Sequence, residues 1–104
     1  MIFQRTFQLV LAERKTQTRR IIRSERPPCK VGGTVAVQPG RGKKAVGRIM
    51  VTALSRVRLG SITEADARAE GFANRGEFIE TWRRMHGQFE DDTEVWVITF
   101  CLAE

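Results

Sequence analysis

The sequence predicts an α+β domain: a small, mostly antiparallel sheet, curled or closed into a small β-barrel, with flanking helices. Three observations predict it. The chain runs helix, strands, helices, strand, with no alternation of strand and helix. Its 104 residues suit a single domain, residues 1–104, with one modest core. Roughly four to six strands in so short a chain favour a curled sheet over a broad flat one.

Phe3, Phe7, Val10 and Leu11 fall on one helical stripe, which predicts an amphipathic helix over residues 3–13. The β-branched run "TRRII" (18–22) reads as a short strand, stopped before Pro27 and Pro28, which have no N–H to offer a ladder. Gly32-Gly33 is a turn signal before the strand "TVAVQ" (34–38). The loop "PGRGKK" leads to "AVGRIMVTALSRVRL" (45–59), one long strand or two joined by a bend, with Gly47 a candidate bulge.

Ser61 or Thr63 can cap a helix whose first turn carries Glu64 and Asp66, and Gly71 can stop it. Asn74 caps a second helix that ends at Gly87, with Phe78, Trp82 and Met85 on one face. Its last turn holds Arg83, Arg84 and His86, which suit the negative helix end. In "EVWVITFCL" (94–102) both alternating sets are largely apolar, so this closing strand is expected to be covered on both faces. Trp82 and Trp96 are accordingly expected in the core, and Cys101 is expected to be buried.

Composition excludes several functions. No apolar run reaches about 18 residues, and the N-terminal segment is broken by Arg5 and polar residues, so neither a membrane span nor a signal peptide is expected and the location is expected to be cytoplasmic. Two cysteines, Cys29 and Cys101, and one histidine, His86, are too few for a structural zinc site, and no metal or cofactor is implied. Residues 1–60 hold 14 basic against two acidic residues, net +12, while residues 61–104 hold four against ten, net −6. That gradient suggests one basic face, which attracts a polyanion, most often nucleic acid.

At "LAERKTQTRRI" (11–21) the sequence resembles the ASCH domain family, whose fold is PUA-like. The family opens with an aromatic-rich helix and a "GxKTxTxR"-like segment. Here the glycine is replaced by Glu13, followed by Arg14, Lys15, Thr16, Gln17, Thr18 and Arg19. "VGGTVAVQPGRG" (31–42), "SITEADARAEGF" (61–72) and "EVWVITF" (94–100) match in order and spacing, so the resemblance covers nearly the whole chain. It implies RNA or a modified nucleoside as partner. It is similar to small bacterial members that hydrolyse the amide of N4-acetylcytidine with a lysine, a threonine and a glutamate, here Lys15, Thr18 and Glu70. Other members are RNA-binding modules or single-strand ribonucleases, and fold alone does not choose among them.

The chemistry sets conditions on that trio. An ordinary lysine titrates near pH 10.4, so one that attacks a carbonyl or activates water must have a lowered pKa, through burial or through neighbours such as Arg14, Arg19 and Arg20. Glu70 opposes this electrostatically and makes sense as a proton shuttle, while Thr18 can orient the amine or hold an oxyanion. Residues 15 and 18 share a face only on a helical turn, so the trio is expected to need helix or turn through about Thr18. Glu70 stands at a helix end that disfavours a carboxylate by about 0.3–1 kcal/mol when exposed. Arg14, Arg19 and Arg20, with Arg41, Lys43 and Lys44 of the glycine-rich loop, are the candidate RNA or substrate contacts. Lys15 itself reads equally as a phosphate contact.

Overall fold

The computed structural model describes residues 1–103. It contains α1 (Phe7–Leu11), β1 (Gln17–Ile21), β2 (Thr34–Val37), β3 (Gly47–Arg58), a short 3-10 turn (Leu59–Ser61), α2 (Glu64–Ala69), α3 (Arg75–His86) and β4 (Glu94–Ala103). The four strands form one antiparallel sheet in the order β1-β4-β3-β2. The predicted α+β class and element order therefore hold. Residues 1–3 carry the sheet beyond β2 through a parallel bridge between Ile2 and Gln38. The side chain of Arg20 in β1, at the opposite edge, reaches across and donates to the Ile2 carbonyl at 2.9 Å.

The two-sided β4 organises the core. Trp96, Ile98 and Phe100 point to one face and pack with Phe3, Val10, Val37, Ile49 and Val51. Val95 and Val97 point to the other and pack with Leu59, Ile62, Ala67, Phe78 and Trp82 beneath α2 and α3. Each fully buried aliphatic or aromatic side chain contributes roughly 1.5–3 kcal/mol, so these two clusters fix where the helices sit. Thr63 caps α2 through a full capping box with Asp66, and Asn74 accepts from the Glu77 N–H at 2.8 Å to cap α3.

Several expectations are corrected. The first helix is five residues long, not 3–13, because residues 4–6 form a turn and Glu13 adopts φ 59°, which no helix continues. The irregularity in β3 lies between Val51 and Ala53, not at Gly47; Gly47 is required instead by close approach, since a Cβ there would meet Leu11 at 2.8 Å. Ser61 closes the 3-10 turn and Thr63 is the helix cap. Met85 is exposed while Phe78 and Trp82 are buried. Cys101 is exposed because α2 and α3 cover that face of β4 only as far as Val95 and Val97.

Candidate active site

Two chain reversals bring the predicted trio together. At the first, α1 stops and Glu13 takes the left-handed conformation that glycine favours, after which Arg14 and Lys15 both donate backbone N–H bonds to the Leu9 carbonyl (2.9 and 3.1 Å). At the second, α2 ends at Glu70 and Gly71 turns away at φ 100°. Gly71 is the point of closest approach: a Cβ there would lie 2.9 Å from Leu9 Cδ1 and 3.6 Å from Lys15 Cβ. The Thr16 N–H donates to the Ala69 carbonyl at 2.8 Å, and the Phe100 N–H donates to Thr16 at 2.9 Å. The start of β1 is thus pinned between the end of α2 and the centre of the sheet.

Lys15, Thr18, Arg19 and Glu70 are the buried polar residues among those described, with exposures of 5%, 4%, 7% and 3%. Lys15 Nζ donates to the Glu70 backbone carbonyl at 2.8 Å and to Glu70 Oε1 at 3.1 Å. Arg19 Nη1 reaches the other carboxylate oxygen, Oε2, at 3.2 Å. Arg19 also binds Gln17 Oε1 at 2.9 Å and pairs with Asp66 at 3.4 Å. The exposed surface glutamate that position 70 allowed is therefore not what this residue is. Glu70 bridges two cations inside the protein, and it is itself the C-cap of α2.

Burial pushes the Lys15 amine below the ordinary lysine range; the charge and hydrogen bond of Glu70 pull it up, and Arg20 and Arg19 add to the lowering. Desolvation works to raise Asp66, but hydrogen bonds from the Thr63 backbone and hydroxyl, with the Arg19 charge, hold it below the usual aspartate value.

Lys15, Thr18, Arg19 and Glu70 line a cleft of about 610 Å³, within the size range of small-molecule sites. One wall carries Lys15, Thr18 and Glu70; another carries Phe72, Phe78 and Trp82, with His86 against Trp82, ring centroids 4.2 Å apart and planes tilted by 38°. Lys15 and Thr18 share the cleft without a helical turn between them, which corrects the geometric condition drawn from sequence. Lys15 precedes β1, so the strict alternation of a flat strand does not begin until Gln17. Among the described residues, no hydrogen bond links Thr18 to Lys15 or Glu70.

The predicted basic contacts divide. Arg19 and Arg20 line the cleft, whereas Arg14, Arg41, Lys43 and Lys44 are exposed and do not. Sequence reasoning missed Arg5, Arg23 and Phe72 as lining residues; Phe72 follows the helix-ending Gly71 directly, and that position was its one available signal. A second hollow, bounded by Arg75, Arg83, Phe89 and Asp91, is a shallow depression with no buried titratable group. Among the described residues no three His, Cys, Asp or Glu side chains gather as metal ligands, and no helix is long and apolar enough to cross a membrane.

Comparison with known proteins agrees with this architecture. The family model for the ASCH domain matches residues 2–102. No curated protein matches the chain in sequence. Among solved structures, the ASCH domain from Lactobacillus crispatus is similar at TM-score 0.78 and 19% identity, covering 92% of this chain and 69% of that one. A protein from Enterococcus faecalis is similar at TM-score 0.70 and 22% identity, covering 96% and 68%. A serine-to-alanine mutant of the Zymomonas mobilis ASCH protein is similar at TM-score 0.67 and 14% identity, covering 100% and 66%. At these identities the likeness concerns the fold.

Proposed function

The chain belongs to the ASCH domain family, and from that premise we propose that it is a metal-independent amidohydrolase of modified nucleosides of the N4-acetylcytidine type, using Lys15, Thr18 and Glu70. The observation that carries this reading is the buried Lys15–Glu70 pair on the wall of an aromatic cleft. The antiparallel sheet with its flanking helices supports reading the fold as the PUA-like barrel of that family, which is associated with RNA and its nucleosides.

The hydrogen-bond count at Lys15 supports a role as a base. A neutral amine has two N–H donors and one lone pair. Glu70 O and Oε1 accept two donors, which leaves the lone pair for the cleft. Lys15 then acts as a general base: it takes a proton from a water that attacks the acetyl carbonyl. Thr18 donates its hydroxyl to the developing oxyanion. The Lys15 ammonium returns the proton to the leaving exocyclic nitrogen as the C–N bond breaks, giving acetate and cytidine. Direct attack by the amine would instead leave acetyl-lysine, an unactivated amide harder to hydrolyse than the substrate. Arg19 fixes the Glu70 carboxylate from its far side.

The test is incubation with N4-acetylcytidine and chromatographic detection of cytidine. Wild-type turnover, with a loss of about 10²–10⁴ in Lys15→Ala, is the expected result. No turnover by the wild type, or equal turnover by the variant, overturns the proposal.

A second reading, a non-catalytic RNA-binding module, draws support from the basic first half and from Arg14, Arg41, Lys43 and Lys44 standing outside the cleft. It expects affinity for single-stranded RNA that falls steeply with salt and weakens on neutralising Lys43 and Lys44. Cleavage of that RNA would point to the ribonuclease activity of other family members.

A further inference from the structure

The cations of the cleft fall into two sets. Lys15 and Arg19 are charge-paired internally, with Glu70 and Asp66. Arg5, Arg20 and Arg23 line the same cleft, and among the described residues none of them pairs with a carboxylate.

Arg20 is the anomaly. Its guanidinium lies over the Phe3 ring at 5.2 Å, and Nη2 donates to the Ile2 carbonyl. Its Nε–H is buried with no acceptor, as is that of Arg19, but Arg20 has no carboxylate partner either. Among the described residues, its Nη1 makes no hydrogen bond. The guanidinium is thus held rigidly by an aromatic face and a main-chain oxygen, both neutral. Its half-buried guanidinium is partly desolvated, a cost that the Glu70 charge offsets in part and that a bound anion would offset further. Arg23 stands close enough to His86, on the opposite rim, to depress the imidazole after partial burial has begun to do so. Arg5 sits beside the Ile2–Phe3 segment that holds Arg20. Among the described residues, the carboxylates lining the cleft are Glu70, already bridged, and the exposed Glu77 of α3.

We infer that Arg20, with Arg5 and Arg23 at the rim, forms a phosphate subsite, so that the cleft takes a phosphorylated nucleotide in preference to the bare nucleoside. A planar guanidinium with an open edge suits phosphate oxygens, and stacking on Phe3 fixes its plane. The inference rests on the nucleoside reading of the cleft, but it concerns binding and not hydrolysis. The phosphate can belong to a mononucleotide or to an RNA strand, and the two are separable by experiment.

Titration calorimetry compares cytidine, cytidine 5′-monophosphate and a trinucleotide with cytidine in the middle. The expected result is a preference of about tenfold or more for a phosphorylated ligand over cytidine, shrinking as salt rises. A preference for the monophosphate assigns the subsite to a free nucleotide; a preference for the trinucleotide assigns it to a strand. Arg20→Gln should bring the ratio close to one. Because Arg20 also bridges the sheet margins, Arg5→Gln with Arg23→Gln provides an exposed double variant in which the ratio should fall by several-fold. Equal affinity of the wild type for all three ligands, or no measurable binding of either phosphorylated ligand, overturns the inference, as does an unchanged ratio in the double variant. Failure to hydrolyse N4-acetylcytidine leaves this outcome untouched, so the two proposals fail separately.

Discussion

Glu70→Gln isolates the centre of the site. The substitution keeps the side chain's shape and removes its charge. Lys15 and Arg19, 5% and 7% exposed, are then left against a neutral amide that offers one acceptor oxygen and one donor NH₂ in place of two acceptors. Removing one partner of a buried ion pair costs about 3–5 kcal/mol. Arg19 keeps its contacts to Gln17 and Asp66, and Lys15 keeps the Glu70 main-chain carbonyl, which places the expected loss near the lower end, about 3 kcal/mol. For a domain of this size that corresponds to a fall of roughly 12 °C in Tm. The sign with pH is also determined. Glu70 raises the Lys15 pKa against the effect of burial, so folded Lys15 in the variant holds its proton less tightly than in the wild type. The cost of the substitution must therefore shrink as pH rises through the folded Lys15 pKa, because a neutral amine needs no counter-charge. Urea unfolding of both proteins from about pH 5 to pH 10 measures this directly. A loss below about 1 kcal/mol, or a loss that grows with pH, would refute the reasoning, because either result means that Lys15 and Arg19 do not depend on the Glu70 charge.

In the wild type, kcat/KM for the amide should fall as pH drops through the Lys15 pKa, with the limb below the ordinary lysine range, because only the unprotonated amine can accept a proton; a limb that survives in Lys15→Ala belongs to another group. Thr18→Val should lower kcat by about 10²–10³ with the fold intact, while Thr18→Ser keeps most activity, as circular dichroism and single-turnover kinetics would show. Glu13→Gly should stabilise the protein by about 0.5–1 kcal/mol in urea unfolding, since relief of a left-handed residue, about 1–2 kcal/mol, exceeds the added freedom of the unfolded chain. Destabilisation by Glu13→Gly would show that the glutamate side chain, not the turn, matters there.

The fold was legible in the sequence wherever a local signal coincided with a tertiary one. The caps at Thr63 and Asn74 and the two-sided apolar pattern of β4 are of this kind, because side-chain hydrogen bonding and burial there follow from neighbours in the chain. Cys101 shows the limit: alternation gives its face, but only the reach of α2 and α3 decides whether that face is covered. Lys15, Thr18 and Glu70 were singled out by resemblance to a motif, not by periodicity, and the periodicity argument imposed a helical turn that the chain does not make. Arg19 and Arg20 are adjacent and chemically identical, yet one is engaged by two carboxylates and the other by none. Asp66 and Glu70 stand some fifty residues away in sequence, and nothing local to "RKTQTRR" reports which arginine they will choose.

The burial of this cluster bears on its purpose. A lysine is a useful partner for the last carbonyl of α2, but an exposed one would serve equally well and would lose no hydration. Enclosing Lys15, Arg19 and Glu70 carries a desolvation cost that well-packed apolar side chains of similar volume would avoid, often with a gain in stability. Stability alone therefore gives no reason for the arrangement. What burial does achieve is to lower the lysine pKa, while the carboxylate and the carbonyl orient the amine and Arg19 fixes the carboxylate. Those are the requirements of a base at a cleft wall, and they are not the requirements of a helix cap.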